Sequence, residues 1–171
     1  MHEQVRIHLA AGEVDLAARR CDAASAPRPP DAHRQQPWEL WVLARARVAI
    51  ARGHAKSALP LLADLRDRAQ AEGRRRFELS VRVVTALAIQ AAGDGTAARA
   101  EVAAALVLGE EQGAVRTLAD EGQALHPLLR RLPASPYVGR LLGVAHAGTI
   151  AVAPVVGTGA APAAGVWPSF D

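Results

Sequence analysis

The chain is 171 residues long, which suits one domain or one elongated repeat module. Half of its residues are hydrophobic, only 4% are aromatic, and most of the difference is alanine, of which there are 39. Its 20 basic and 17 acidic residues are interspersed, and a net charge of +3 is a small excess for a nucleic-acid binder, which gathers positive charge on one face. Ala, Leu, Arg and Glu favour helix, and the shortage of Ile, Tyr, Phe and Thr makes the chain a poor candidate for an all-β fold. The single cysteine, Cys21, allows neither an internal disulfide nor a Cys-based zinc site. No long apolar run crosses the body of the chain, and the first residues lack the apolar stretch of a signal peptide. A cytoplasmic location is therefore expected.

In chain order, helices are predicted at residues 2–10, 13–24, 38–52, 56–72, 75–92, 96–112, 114–132 and 137–146. Ser25 to Pro37 carries four prolines in thirteen residues and is predicted to be an extended connection. Pro60 lies about one turn into its helix and predicts a kink or a later start. After residue 146 the composition turns to Gly, Ala and Pro. Residues 1–146 are thus expected to form the folded domain and 147–171 a flexible tail or linker.

The most informative feature is an internal repeat of 40 residues. Laid over Val81–Ala114, the segment Trp41–Arg74 puts Gly53 on Gly93, Ala58 on Ala98 and Gly73 on Gly113, with Ala46 on Ala86. A weaker copy precedes it, with Gly12 aligned to Gly53. Each glycine stands where a helix would end, because a terminal left-handed residue costs glycine nothing. The next helix starts within two or three residues, so successive helices must pack as antiparallel hairpins. Residues 38–52 are apolar on more than one side, as in a helix sandwiched between neighbours in a solenoid.

Leu43–Arg76 resembles a tetratricopeptide-type hairpin. Thr85–Leu132, with Gly113, Arg116, Asp120-Glu121-Gly122, Leu125 and Leu128-Leu129-Arg130-Arg131, is similar to the C-terminal repeat region of the MalT-type, large ATP-binding LuxR-family transcriptional regulators. Pro136–Ala145 looks like the short last helix of that region, so the resemblance spans about residues 3–146. It implies a bacterial activator in which an ATPase precedes a helical superhelix that senses an inducer and self-associates, followed by a DNA-binding helix-turn-helix. The chain shows no phosphate-loop motif and no helix-turn-helix pattern after Ala147, so it reads as the sensor and scaffold segment alone, a truncated, split or fragmentary product. On that resemblance Gly113, Arg116, Asp120, Glu121 and Gly122 are structural, stabilising the end of the superhelix. Asp120 is also suited by position to cap a helix over 123–132.

No catalytic constellation stands out, and no enzyme activity or cofactor is expected. The six histidines lack metal-binding spacing, and His54 falls where a capping residue belongs. Cys21 reads as a buried structural thiol. Trp38 and Trp41 share a helix face with Arg45, and Val81, Arg82 and Thr85 occupy the equivalent stripe one repeat later. In tetratricopeptide-like arrays the first helix of each pair lines the concave groove. Trp38, Trp41, Arg45, Arg82 and Thr85 are therefore candidate contacts for a sugar-like or peptide ligand, the alternative being that both tryptophans only cap the core.

The fold expected is an all-α, TPR-like superhelix, a solenoid of about three helical hairpins plus a terminal helix. The function expected is effector sensing and protein interaction, including self-association, within a MalT-like LuxR-family regulator. Its partners would be protein, with a possible small-molecule inducer; it would meet no membrane, and DNA only through a domain absent here. The alternative is a stand-alone TPR-type adaptor for a partner protein or peptide, which the reading frames flanking the gene would discriminate. A weaker third reading is direct nucleic-acid binding through Arg74-Arg75-Arg76, a run flanked by Glu72 and Glu78.

Overall fold

The computed structural model describes residues 2–24, 32–119, 121 and 124–147. Its helices are α1 (His2–Ala10), α2 (Val14–Ala23), α3 (Ala32–Ala51), α4 (Ala55–Ala71), α5 (Arg75–Ala91), α6 (Gly95–Glu111), α7 (Val115–Ala119), α8 (His126–Leu129) and α9 (Pro136–Ala147). No strand occurs among the described residues.

The repeat is written into the helix ends. Gly53 has φ +77° and closes α3: its N–H donates to the Ile50 carbonyl at 3.0 Å, and the His54 N–H reaches back to the Ala49 carbonyl at 2.8 Å. These are the two hydrogen bonds of a Schellman motif, and they satisfy carbonyls that the end of a helix leaves without partners. The same pair of bonds closes α1 at Gly12, α4 at Gly73, α5 at Gly93 and α6 at Gly113. One turn type therefore joins the helices within each hairpin, α4 to α5 and α6 to α7.

Antiparallel neighbours α1–α2, α3–α4 and α5–α6 pack as hairpins, and α1 also packs on α3, α3 on α5 and α5 on α7. This is the all-α, TPR-like repeat expected. The first helices of the hairpins pack on one another in series. Small residues permit the close approach: Ala46, Ala58, Ala86 and Ala98 are all buried. The apolar side chains gather in three clusters along the array. Val5, Ala17, Ala18 and Cys21 meet Ala44 and Val48 in the first. Val42, Leu43 and Ala46 meet Leu62, Leu65, Val81 and Val84 in the second. Leu79, Val83 and Leu87 meet Val102, Leu108, Leu118, Leu128, Tyr137 and Leu141 in the third. Helices α3 and α5 each serve two clusters, which is why α3 is apolar on more than one side.

Two expectations are corrected. The segment 25–37 is not extended throughout: residues 25–31 lie outside the described residues, but α3 already begins at Ala32 and contains Pro37. Pro37 is the sixth residue of α3, past the first turn, so it removes one intrahelical hydrogen bond, and the helix continues through it. Pro60 likewise sits inside α4, which begins at Ala55, and its side chain is exposed. The second correction concerns 114–132, which is not one helix: α7 ends at Ala119, Glu121 lies in a turn, and α8 starts at His126. Pro127 lacks an N–H and would clash with the carbonyl of residue 123 in a continuous helix, whereas in the first turn of α8 it is tolerated. The expected tail lies outside the described residues from 148 onward.

Candidate functional site

Trp38, Trp41 and Arg45 follow one another along α3 at helical spacing, and the structure keeps Trp41 and Arg45 together. The Arg45 guanidinium stands 5.3 Å from the centre of the Trp41 ring, within cation–π range. The Trp41 indole N–H donates to the Cys21 carbonyl at 2.8 Å, tying α3 to the end of α2. Both tryptophans are half-buried against the middle cluster. Beside them a hollow of about 50 Å³ opens between α3 and α4, lined by Val42, Arg45, Ala46, Ala49, Ser57, Ala58 and Leu61.

On α5, Arg82 and Thr85 are engaged elsewhere. Arg82 donates to Glu78 and to Glu101 of α6, both at 2.9 Å. Thr85 is buried, and its hydroxyl donates to the Val81 carbonyl one turn back at 2.8 Å. Burial pushes the Glu78 carboxyl up, but hydrogen bonds from Gln70 and Arg82 and the charges of Arg82 and Arg75 outweigh it, leaving Glu78 below the usual carboxylate range.

The arginine run opens α5 and lines a cleft of about 700 Å³ with Gln36, Glu39, Leu40, Glu72, Phe77 and Gln112. Arg74 grips the fully buried Glu39 of α3 with two nitrogens, at 2.7 and 2.8 Å. It also pairs with Glu72 and lies over the Phe77 ring at 4.8 Å. The hydrogen bond to Glu39 holds the Arg74 guanidinium above its ordinary pKa. Arg75 pairs with Glu111 at the end of α6, at 2.8 Å, and more loosely with Glu78. The run is therefore a set of inter-helix ties in which carboxylates neutralise Arg74 and Arg75, a poor start for a phosphate-binding patch.

The largest surprise lies on the other side of α3. Arg47 interrupts the apolar arc of that helix, yet only 8% of its side chain is exposed, and its partner Glu121 is 10% exposed. The pair is two-pronged: Nε donates to Oε2 at 3.2 Å and Nη2 to Oε1. Nη1 reaches His2 Nε2 at 3.0 Å and the Leu43 carbonyl at 3.4 Å. An arginine nitrogen can only donate, so His2 accepts through Nε2 and is the neutral form protonated on Nδ1. Burial, followed by the charges of Arg47 and Arg6, lowers the His2 pKa to about 4. Three residues far apart in sequence thus meet: the start of α1, the middle of α3 and the turn between α7 and α8. Sequence spacing gave no sign of this meeting. The one available signal was an arginine among the buried positions of α3.

The remaining segment residues divide cleanly. Gly113, with φ +61°, closes α6, and Arg116 lies on α7. Asp120 and Gly122 lie outside the described residues, so the expected cap at Asp120 does too. Leu125, Leu128 and Leu129 are buried in the third cluster. His54 does precede α4, but its side chain makes no capping hydrogen bond; its equivalent one repeat later, Asp94, accepts from the Ala97 N–H at 2.9 Å. Cys21 is buried, and burial raises its thiol pKa.

Stacked hairpins, Schellman glycines every 20 residues from Gly53 to Gly113 and first helices packed in series define a tetratricopeptide-like repeat protein. More narrowly, residues 1–135 match the family model of the MalT-like TPR region, and the chain belongs to that family. No curated protein and no solved structure matches the chain. Among the described residues no helix is long and apolar enough to cross a membrane.

Proposed function

We propose that this chain is the effector-sensing and self-association segment of a MalT-like LuxR-family bacterial transcriptional regulator, working in the cytoplasm without catalysis of its own. The observation that carries this reading is the family match over residues 1–135. Ligand or partner would dock on the face bearing Trp38, Trp41 and Arg45, with Arg82 one repeat further on; Thr85, buried and bonded to the Val81 carbonyl, is not available to it. Docking would shift the balance between a closed and a self-associating form through unequal affinity for the two. Trp41 and Arg45 offer a ring and a cation already stacked, suited to a sugar ring or a peptide carboxylate. Recruiting Arg82 would first require exchanging its bonds to Glu78 and Glu101. DNA would be reached through another domain.

The test combines light scattering over a concentration series with calorimetry against a panel of oligosaccharides and short peptides. The expected result is concentration-dependent assembly, or binding that Trp41→Ala and Arg45→Ala weaken at least tenfold. A chain that stays monomeric and binds no member of the panel would remove the proposal's support.

A further inference from the structure

We propose that Arg47, Glu121 and His2 form a latch, a releasable contact that holds Glu121, just beyond α7, against α3. This goes beyond the function proposed above and needs no inducer to be true. The argument begins with where each end of the contact is anchored. Helix α7 packs on α5, α6 and α9, and α8 packs on α6 and α9, so the end of the array has its own core. Arg47 stands on α3, whose buried apolar side chains serve the first two clusters, with the partly buried Ile50 also touching the third. The ion pair is a polar bridge between bodies that are each packed without it.

Its chemistry is suited to release. A buried arginine–carboxylate pair sets Coulomb attraction against the cost of taking both charges out of water, so its net contribution to stability is small compared with the cost of leaving one partner alone. The contact is accordingly tight when both partners are present and intolerant of losing either. Every nitrogen of Arg47 is engaged in the closed state: Nε and Nη2 by Glu121, Nη1 by Leu43 and His2. Glu121 follows α7, which has only five residues, and the helix does not continue through it. Opening frees a guanidinium and a carboxylate and loosens α7 and α8, with Leu118, Leu125, Leu128 and Leu129, while the first two apolar clusters stay intact. His2 covers the pair from α1, faced by Arg47, Arg6 and Glu121 and with Glu3 one residue away on its own helix.

Hydrogen exchange followed peptide by peptide tests the latch on the whole chain. In Glu121→Gln the carboxylate is lost and the shape kept. Amides of residues 115–129 are expected to exchange at least tenfold faster, while those of α4, α5 and α6 keep their rates. The charge reversal Arg47→Glu with Glu121→Arg is expected to recover much of the protection. Unchanged exchange in 115–129 would overturn the latch. So would an equal rise throughout α3–α6, because the pair would then be general structural support. If Glu121→Gln does not fold, the unsubstituted chain in mild denaturant decides: 115–129 must open at lower denaturant than α3–α5, and a single common opening overturns the proposal.

Discussion

At Gly109 the backbone of α6 lies so close to α9 that a methyl group there would sit 2.6 Å from the Tyr137 hydroxyl and 2.8 Å from Leu118 Cδ1. Tyr137 is buried, and its hydroxyl donates to the Ala114 carbonyl at 3.3 Å, so the ring has little room to retreat. Gly109→Ala sets a helix-propensity gain of about 1 kcal/mol against an overpacking cost of about 1–3 kcal/mol. Urea unfolding is expected to show a net loss of stability; a gain would mean that α9 moves away freely. His2 supplies a pH dependence whose sign follows from its neutral state. Its folded pKa, about 4, lies below the unfolded value of 6.5, so falling pH protonates the unfolded chain first. The contribution is complete above pH 6.5 and is lost as pH falls from 6.5 towards 4. The unfolding midpoint of the native chain should drop across that window more than that of His2→Gln, and parallel profiles would exclude the assignment. The glycines that end helices were legible because backbone conformation is local. Gly109 and His2 were not, since what matters about each is a neighbour brought in by the fold.

Between elements, the tie from Glu39 on α3 to Arg74 at the start of α5 has one fully buried partner. Removing the arginine leaves a buried carboxylate at the wall of the cleft without its partner. Arg74→Ala is therefore expected to cost about 1–3 kcal/mol, while Arg74→Leu with Glu39→Leu costs less. Chemical denaturation of both variants checks this, and equal losses would show that packing by the Arg74 stem over Phe77 dominates. At this scale the sequence was a good guide where periodicity ruled. The wide apolar arc of α3 announced a helix with neighbours on two sides, and the hairpins followed from the glycine interval. It was a poor guide where prolines were weighed by number instead of position. Pro37 was tolerated inside α3, whereas Pro127 ended a continuous helix. The candidate ligand residues were legible only as a stripe. That Trp41 would spend its N–H on Cys21, and Arg82 its guanidinium on Glu78 and Glu101, depended on helices the stripe does not contain.

Across the whole molecule, three clusters in series share helices and no single core spans the array. Stability in such an arrangement is a sum of units and of nearest-neighbour interfaces. The first cluster is the smallest, built from Val5, two alanines and Cys21 against α3, and among the described residues it adjoins only the second. Val5→Ala is expected to cost about 1 kcal/mol and to speed amide exchange in α1 and α2 alone. Leu62→Ala, in the middle cluster, should cost about 2–5 kcal/mol and speed exchange in α3, α4 and α5 together. Exchange that rises uniformly in both variants would mean one cooperative unit.

Cys21 gives the molecule a built-in chronometer. It is the only thiol in the sequence, it is shut inside the first cluster, and burial disfavours the thiolate that reagents attack. Its carbonyl is held by Trp41, so the bond that anchors the α2 terminus to α3 belongs to the same residue that carries the label. A chromogenic disulfide added in excess would consume one equivalent per chain, at a pace set by how often that end comes loose. Whatever docks on Trp41 or Arg45 would slow or hasten the colour change, with no engineered probe in the protein.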